Sequence, residues 1–190
     1  MLRVLQMLLT LIAGITLGLA TTWVTVIRAN NSGGVDDGPW HTSLFAGSSE
    51  GGPYLRAYVA VHGLLALNRS ETIYYNAGND SDGQALDGHC SYRVEGLDPP
   101  ARWWSITAYG ADDFLIPNTA GRYSASMNSV ARRKDGTFAV TLSQQQPEGD
   151  WIPVAAGRFD LTIRLYNPHA EVAADPARVA LPTIKKAACE

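Results

Sequence analysis

Asp112 and Asp113 follow closely on Trp103, Trp104 and Tyr109 in RWWSITAYGADDFLIPN, residues 102–118. Two acids beside exposed rings resemble a sugar site, since glycosidases need an acid and a base or nucleophile about 5–10 Å apart. Adjacent Asp residues in a strand-ending turn, however, usually cap backbone amides. Other catalytic groupings are missing from the sequence. There is no Gly-x-Ser-x-Gly elbow, and spacing pairs none of His41, His62, His89 and His169 with a Ser. Four His and two Cys have no recognised metal-ligand spacing, so no cofactor is implied. Asn79, Asp80 and Asp82 are hard-oxygen groups in close succession. They lack the spacing and distal Glu of a calcium loop and read as an Asx-rich turn.

Recognition is the better-supported chemistry. If residues 102–109 are a strand, Trp104, Ile106 and Ala108 share the core face. Trp103, Ser105, Thr107 and Tyr109 then line a half-wet face. Phe159, Leu161, Ile163 and Leu165 alternate with Asp160, Thr162, Arg164 and Tyr166 in the same way. Trp, Tyr and Arg dominate binding hot spots because each joins large area to a directional polar tip. We therefore expect a concave patch of Trp103, Tyr109, Asp112, Arg122, Arg164 and Tyr166 that engages a protein partner or a glycan without bond breaking. In it Arg164 stacks in a groove or pairs with Asp112 or Asp113. Trp104, Trp151 and Tyr123 are expected to fill the core.

The elements around that patch are mostly short strands. Residues 71–76, 86–95, 122–127, 137–143 and 158–166 carry strand patterns separated by turn signals, with Asp135-Gly136 setting up a hairpin between 122–127 and 137–143. Residues 114–116 are too few to assign by period and are a buried connector or a short strand, stopped by Pro117. Leu55, Tyr58, Val59, His62 and Ala66 fall near helical spacing, with His62 as a packing residue. The sum is a mainly β, sandwich or jelly-roll-like domain over residues 54–168 with one short helix. Residues 29–53 have linker composition, with Trp40, Leu44 and Phe45 as the anchors able to dock. Residues 169–190 read as a tail strapped loosely along the surface.

Residues 1–28 form the remaining unit. From Val4 to Ile27 no residue is charged, and 24 residues rise about 36 Å, enough to cross a bilayer core of ~30 Å. A signal peptide cut after Ala20 is the rival, opposed by the apolar run continuing through Trp23, Val24, Val26 and Ile27. Arg3 precedes the span and Asp36 and Asp37 follow it, which favours a single pass in a bacterial inner membrane with the C-terminal domain in the periplasm. Gly14 and Gly18 have the small-xxx-small spacing that permits helix pairing. A net charge of −3 offers no basic footprint for nucleic acid. Arg132-Arg133-Lys134 reads as a solvated turn. Cys90 and Cys189, the two cysteines, either bridge in that oxidising compartment or leave Cys90 buried and free beside Tyr92 and Val94.

Three blocks in order, DGQALDGHCSYRV, WWSITAYGADDFLIPNTAGRYS and GDWIPVAAGRFDLTIRLYNP, resemble the bacterial domain-of-unknown-function family 1214. The resemblance spans about Arg56 to Pro168. It implies an all-β domain with no established catalytic residues. It also implies an accessory role beside a companion domain, family 1254, here in a membrane-anchored stand-alone form. His89-Cys90 stand where such proteins usually carry a Ser and a polar residue, so any role of Cys90 belongs to this chain.

Overall fold

The computed structural model describes residues 2–28, 34–61 and 66–189. The His62 position lies outside them. The N-terminal helix, α1 (Leu2–Arg28), has no buried side chain before Val26. Four of its five threonine hydroxyls are satisfied within the helix. Thr10, Thr16, Thr21 and Thr25 each donate to the carbonyl four residues earlier, which a helix in lipid requires. Leu2–Val26 is long and apolar enough to cross a membrane, a property that signal sequences share.

The remainder is mainly β. Among the described residues ten strands form two sheets. The strands are β1 (Gly34–Asp37), β2 (Trp40–Ser43), β3 (Thr72–Ala77), β4 (Cys90–Gly96), β5 (Ala101–Gly110), β6 (Ser124–Ser126), β7 (Phe138–Ser143), β8 (Trp151–Pro153), β9 (Phe159–Pro168) and β10 (Thr183–Cys189). The larger sheet runs β1-β2-β3-β9-β5-β6, and the smaller runs β10-β4-β7-β8. All pairings are antiparallel except β7 with β8. Helix α2 (Pro53–Val61) precedes β3, and a short helix α3 (Ala170–Ala174) with a 3-10 turn at Pro176–Arg178 follows β9.

Alternation makes the core. Ile73 and Tyr75 of β3, Trp104, Ile106 and Ala108 of β5, and Phe159, Leu161, Ile163 and Leu165 of β9 all point to one side and are buried. Tyr92, Val94, Phe138, Val140 and Leu142 meet them from the smaller sheet. Trp104 lies on Phe138 with ring centroids 4.5 Å apart, and Tyr92 meets Phe159 edge-on at 5.8 Å. Buried ring tips keep partners, as burial demands. Trp40 Nε1 donates to the Pro182 carbonyl at 2.8 Å, and the Tyr75 hydroxyl to that of Pro176 at 2.8 Å.

Several expectations change. The C-terminal stretch is built into the fold. Val172 and Val179 join the core, and β10 pairs with β4 along its length. Cys189 stands opposite Cys90 in that register and is bonded to it, so Cys90 is neither buried nor free. The stretch of linker composition holds the β1–β2 hairpin, docked through Trp40. The expected hairpin between residues 122–127 and 137–143 does not form, because β6 pairs with β5 and β7 with β4. The Asp135-Gly136 turn is present even so: Asp135 accepts from the Thr137 amide, and Gly136 has φ 83°. Tyr123 is on the surface, and Phe114 and Leu115 project outward while Ile116 alone packs inside. Arg132 is not a solvated residue of a turn. It forks onto Asp98 at 2.7 and 3.1 Å beneath Trp104, whose indole also donates to Asp98 at 2.8 Å.

Candidate binding face

β9 sits between β3 and β5 in the larger sheet, so its outward residues have neighbours on both sides. Register sets rows across the three strands. Thr72, Tyr166 and Trp103 form one row, and Tyr74, Arg164 and Ser105 the next. Asn76, Thr162 and Thr107 follow, then Asp160 beside Tyr109. The rows match the outward halves of the alternations, so the pleat alone places these side chains together.

Arg164 is the centre of the face. Its guanidinium donates to Thr107 Oγ1 at 3.2 Å and to the Tyr109 hydroxyl at 2.7 Å. It lies over the Tyr109 and Tyr74 rings, 5.4 and 5.8 Å from their centroids. Among the described residues it has no carboxylate partner. A half-buried guanidinium held only by hydroxyls and ring faces keeps its charge uncompensated. One row away Trp103 and Tyr166 lean together with centroids 5.1 Å apart, both half-exposed. Cross-strand aromatic pairs of this kind stabilise a sheet and offer a flat apolar surface.

An acidic end completes the face. Protein packed around Asp160 pushes its carboxyl above the ordinary range, opposed by Arg158 and reinforced by the Asp113 charge. Gly78 makes this possible, since a Cβ there would sit 2.6 Å from Asp160 Oδ1. Tyr58 of α2 lies within electrostatic reach of both acids, and burial followed by those charges raises its phenol. Leu67 beyond α2 donates its amide to the Tyr74 hydroxyl at 3.3 Å. Tyr58 and Leu67 therefore border the face, and Ser105, Thr107 and Thr162 beneath the larger side chains are nearly dry.

The structure thus brings together Trp103, Tyr109, Arg164 and Tyr166. Asp112 stands apart, accepting from the Phe114 amide at 3.1 Å as a cap of its own turn. Arg122 is directed elsewhere and donates to the Trp151 carbonyl at 3.3 Å. Arg164 meets hydroxyls rather than Asp112. Tyr74, Tyr58 and Asp160 are members that sequence reasoning missed. The alternation of Thr72, Tyr74 and Asn76 against Ile73, Tyr75 and Ala77 carried the signal for Tyr74. Nothing local could reveal Tyr58. Among the described residues no cluster of His, Cys, Asp and Glu is arranged to hold a metal ion. On the smaller sheet an open pocket of about 330 Å³ lies beside the disulfide, with His89, Ser91, Thr141 and Gln144 in its lining. His89 Nδ1 there is 2.7 Å from Asp87 Oδ1.

A two-sheet β-domain behind an apolar helix, with an aromatic and arginine-centred outer face, is the class these features define. The chain belongs to the family described as "Protein of unknown function (DUF1214)", whose model matches residues 71–170. That span takes in β3 to β9 and so the whole face except its α2 border. In fold it is similar to the VPA0106 protein from Vibrio parahaemolyticus, with a TM-score of 0.61 and 24% identity over 73% of this chain. The match covers 36% of the Vibrio chain, so this protein corresponds to about a third of it. An uncharacterized protein from Burkholderia cenocepacia matches at 18% identity and a TM-score of 0.41, over 62% of this chain and 29% of that one. No curated protein matches the chain.

Proposed function

We propose that this protein is a non-catalytic interaction module of the bacterial cell envelope. α1 holds it in the inner membrane, and the domain in the periplasm presents the outer face of its larger sheet to a companion envelope protein. The observation that carries this reading is Arg164, a half-buried cation flanked by Tyr74 and Tyr109 and paired with no carboxylate among the described residues. A partner's carboxylate or carbonyl would complete it, since Arg is strongest in forked, charge-assisted pairs. The Cys90–Cys189 disulfide suits an exported domain. The Vibrio chain is much longer than the matched region, which suits a module that elsewhere works beside further covalently joined chain.

The test is co-purification of the full chain from detergent with the family-1254 companion protein encoded in the same genome. The wild type is expected to retain it and Arg164→Ala to lose it, with both variants remaining in membranes after a carbonate wash. A soluble form beginning at Thr21 would remove the anchor from this reading. A second reading, glycan binding, is favoured by the half-exposed Trp103–Tyr166 pair. It predicts that soluble envelope glycans compete with the companion at this face.

A further inference from the structure

We propose that the loop tip at Phe114 and Leu115, with the exposed apolar side of α2, lies in the interface of the bilayer that α1 crosses. The domain then rests against the membrane instead of standing away from it on a tether. This inference depends on the anchor reading of α1.

The loop is constructed to hold its ring outward. The Gly110 amide donates to the Phe114 carbonyl at 2.9 Å, and the Asp113 amide to that of Gly110 at 3.0 Å. Asp112 caps the Phe114 amide, and Tyr109 and Leu115 form a β-bridge. Asp113 takes a φ of 64°, a conformation that non-glycine residues adopt at a cost. The product of this tight turn is a phenylalanine 73% exposed next to a leucine 43% exposed. A chain with no use for an apolar tip would be expected to turn it onto the core beside Ile116.

Its position points to lipid. Asp113, next to Phe114, is within electrostatic reach of Tyr58 on α2. α2 in turn touches α1, and the burial of Val26 after twenty-four exposed side chains points to the C-terminal end of α1 as the place. Val26 also ends the span long and apolar enough to cross, so a contact of α2 there puts α2 beside the edge of the bilayer. At nine residues, or about 13 Å, α2 does not reach far from that edge. It adds Tyr54 and Val61, 50% and 58% exposed, to the same border. Tyr and other rings are the side chains favoured at membrane–water interfaces. Leu97 is a built-in contrast. It is 57% exposed but precedes β5, whereas Phe114 follows it, and ten residues of strand separate the two by about 33 Å.

The full-length protein is reconstituted in vesicles of phosphatidylethanolamine and phosphatidylglycerol. Photoreactive benzoylphenylalanine replaces Phe114, Tyr54 or Leu97 in separate samples, all largely exposed positions that tolerate the larger ring. Irradiation should give phospholipid adducts at 114 and 54 at least tenfold above those at 97. Equal yields at 114 and 97, or adducts at 114 to protein only, would overturn the inference while leaving the anchor intact. Release of the chain from the vesicles by carbonate, with no lipid adduct at any position, would overturn the anchor and the inference together.

Discussion

The two sheets share one core but present opposite kinds of outer face. On the smaller sheet Glu95 accepts from Arg93 at 3.0 Å and from Arg133 at 3.1 Å, with Lys185 at 3.7 Å, so each of these cations shares a carboxylate of its own chain. On the larger sheet Arg164 meets, among the described residues, only hydroxyls and ring faces. A surface whose charges are already paired has little to offer a partner, because binding would have to break what it replaces. One that leaves a half-dry cation open gains from a partner that supplies the anion. The difference is the reason for proposing recognition on the larger sheet and structural closure on the smaller.

The core common to both faces should give the largest effect. Trp104 is fully buried, stacks on Phe138 and donates to Asp98, so Trp104→Ala should cost about 3–5 kcal/mol in urea unfolding. A smaller loss would mean that the sheets are held together elsewhere. Next comes the smaller sheet's own closure. β10 buries Ile184 as its one fully enclosed side chain, and the bridge to Cys90 fastens its end across a sequence separation of 99. Reduction should lower stability by about 2–4 kcal/mol, read as a drop in Tm with and without reductant.

Arg164→Ala should cost only about 1–2 kcal/mol, since water can serve the released hydroxyls of Thr107 and Tyr109 at a half-open face. Asp160 should behave with the opposite sign. Partial desolvation raises its carboxyl although the residue stays exposed, so the folded chain binds that proton slightly better than the unfolded chain does, and ionisation mildly penalises folding as pH rises. Asp160→Asn should therefore raise Tm at neutral pH, and the gain should vanish as pH falls below the ordinary value of 3.8. Glu95 is the smallest case. The hydrogen bond from Arg93 and then that from Arg133 hold its carboxyl below the ordinary 4.5. Its contribution is present above 4.5 and lost as pH falls through the lowered folded value. Glu95→Gln should cost less than about 1 kcal/mol near neutrality and flatten that part of the acid limb.

How legible these regions were follows from their physics. β5 and β9 are ten-residue strands whose sequences largely alternate, so their inward and outward sets could be read directly even though burial in mid-strand extends to both faces. β10 could not, because a strand with one fully enclosed side chain has no period and is held by backbone pairing and a bridge. β1 and β2 are short and rich in Gly, Asp and Ser, and Trp40 alone signalled docking. The β6 and β7 patterns were correct locally, but no local signal says which distant strand each will join. Within the candidate face, strand residues were legible as far as pleating governs them. Asp112 and Arg122 lie on loops, where turn geometry and not alternation decides direction.

The most direct measurement is the affinity of the detergent-solubilised protein for the proposed family-1254 companion, comparing Arg164→Ala with Arg93→Ala. Both remove one arginine from an outer face, so net charge changes equally. The account predicts at least a tenfold loss for Arg164→Ala, about 1.4 kcal/mol, and an unchanged affinity for Arg93→Ala, with both variants folded by Tm. Equal affinities for wild type and Arg164→Ala, or an equal loss for both variants, would contradict it.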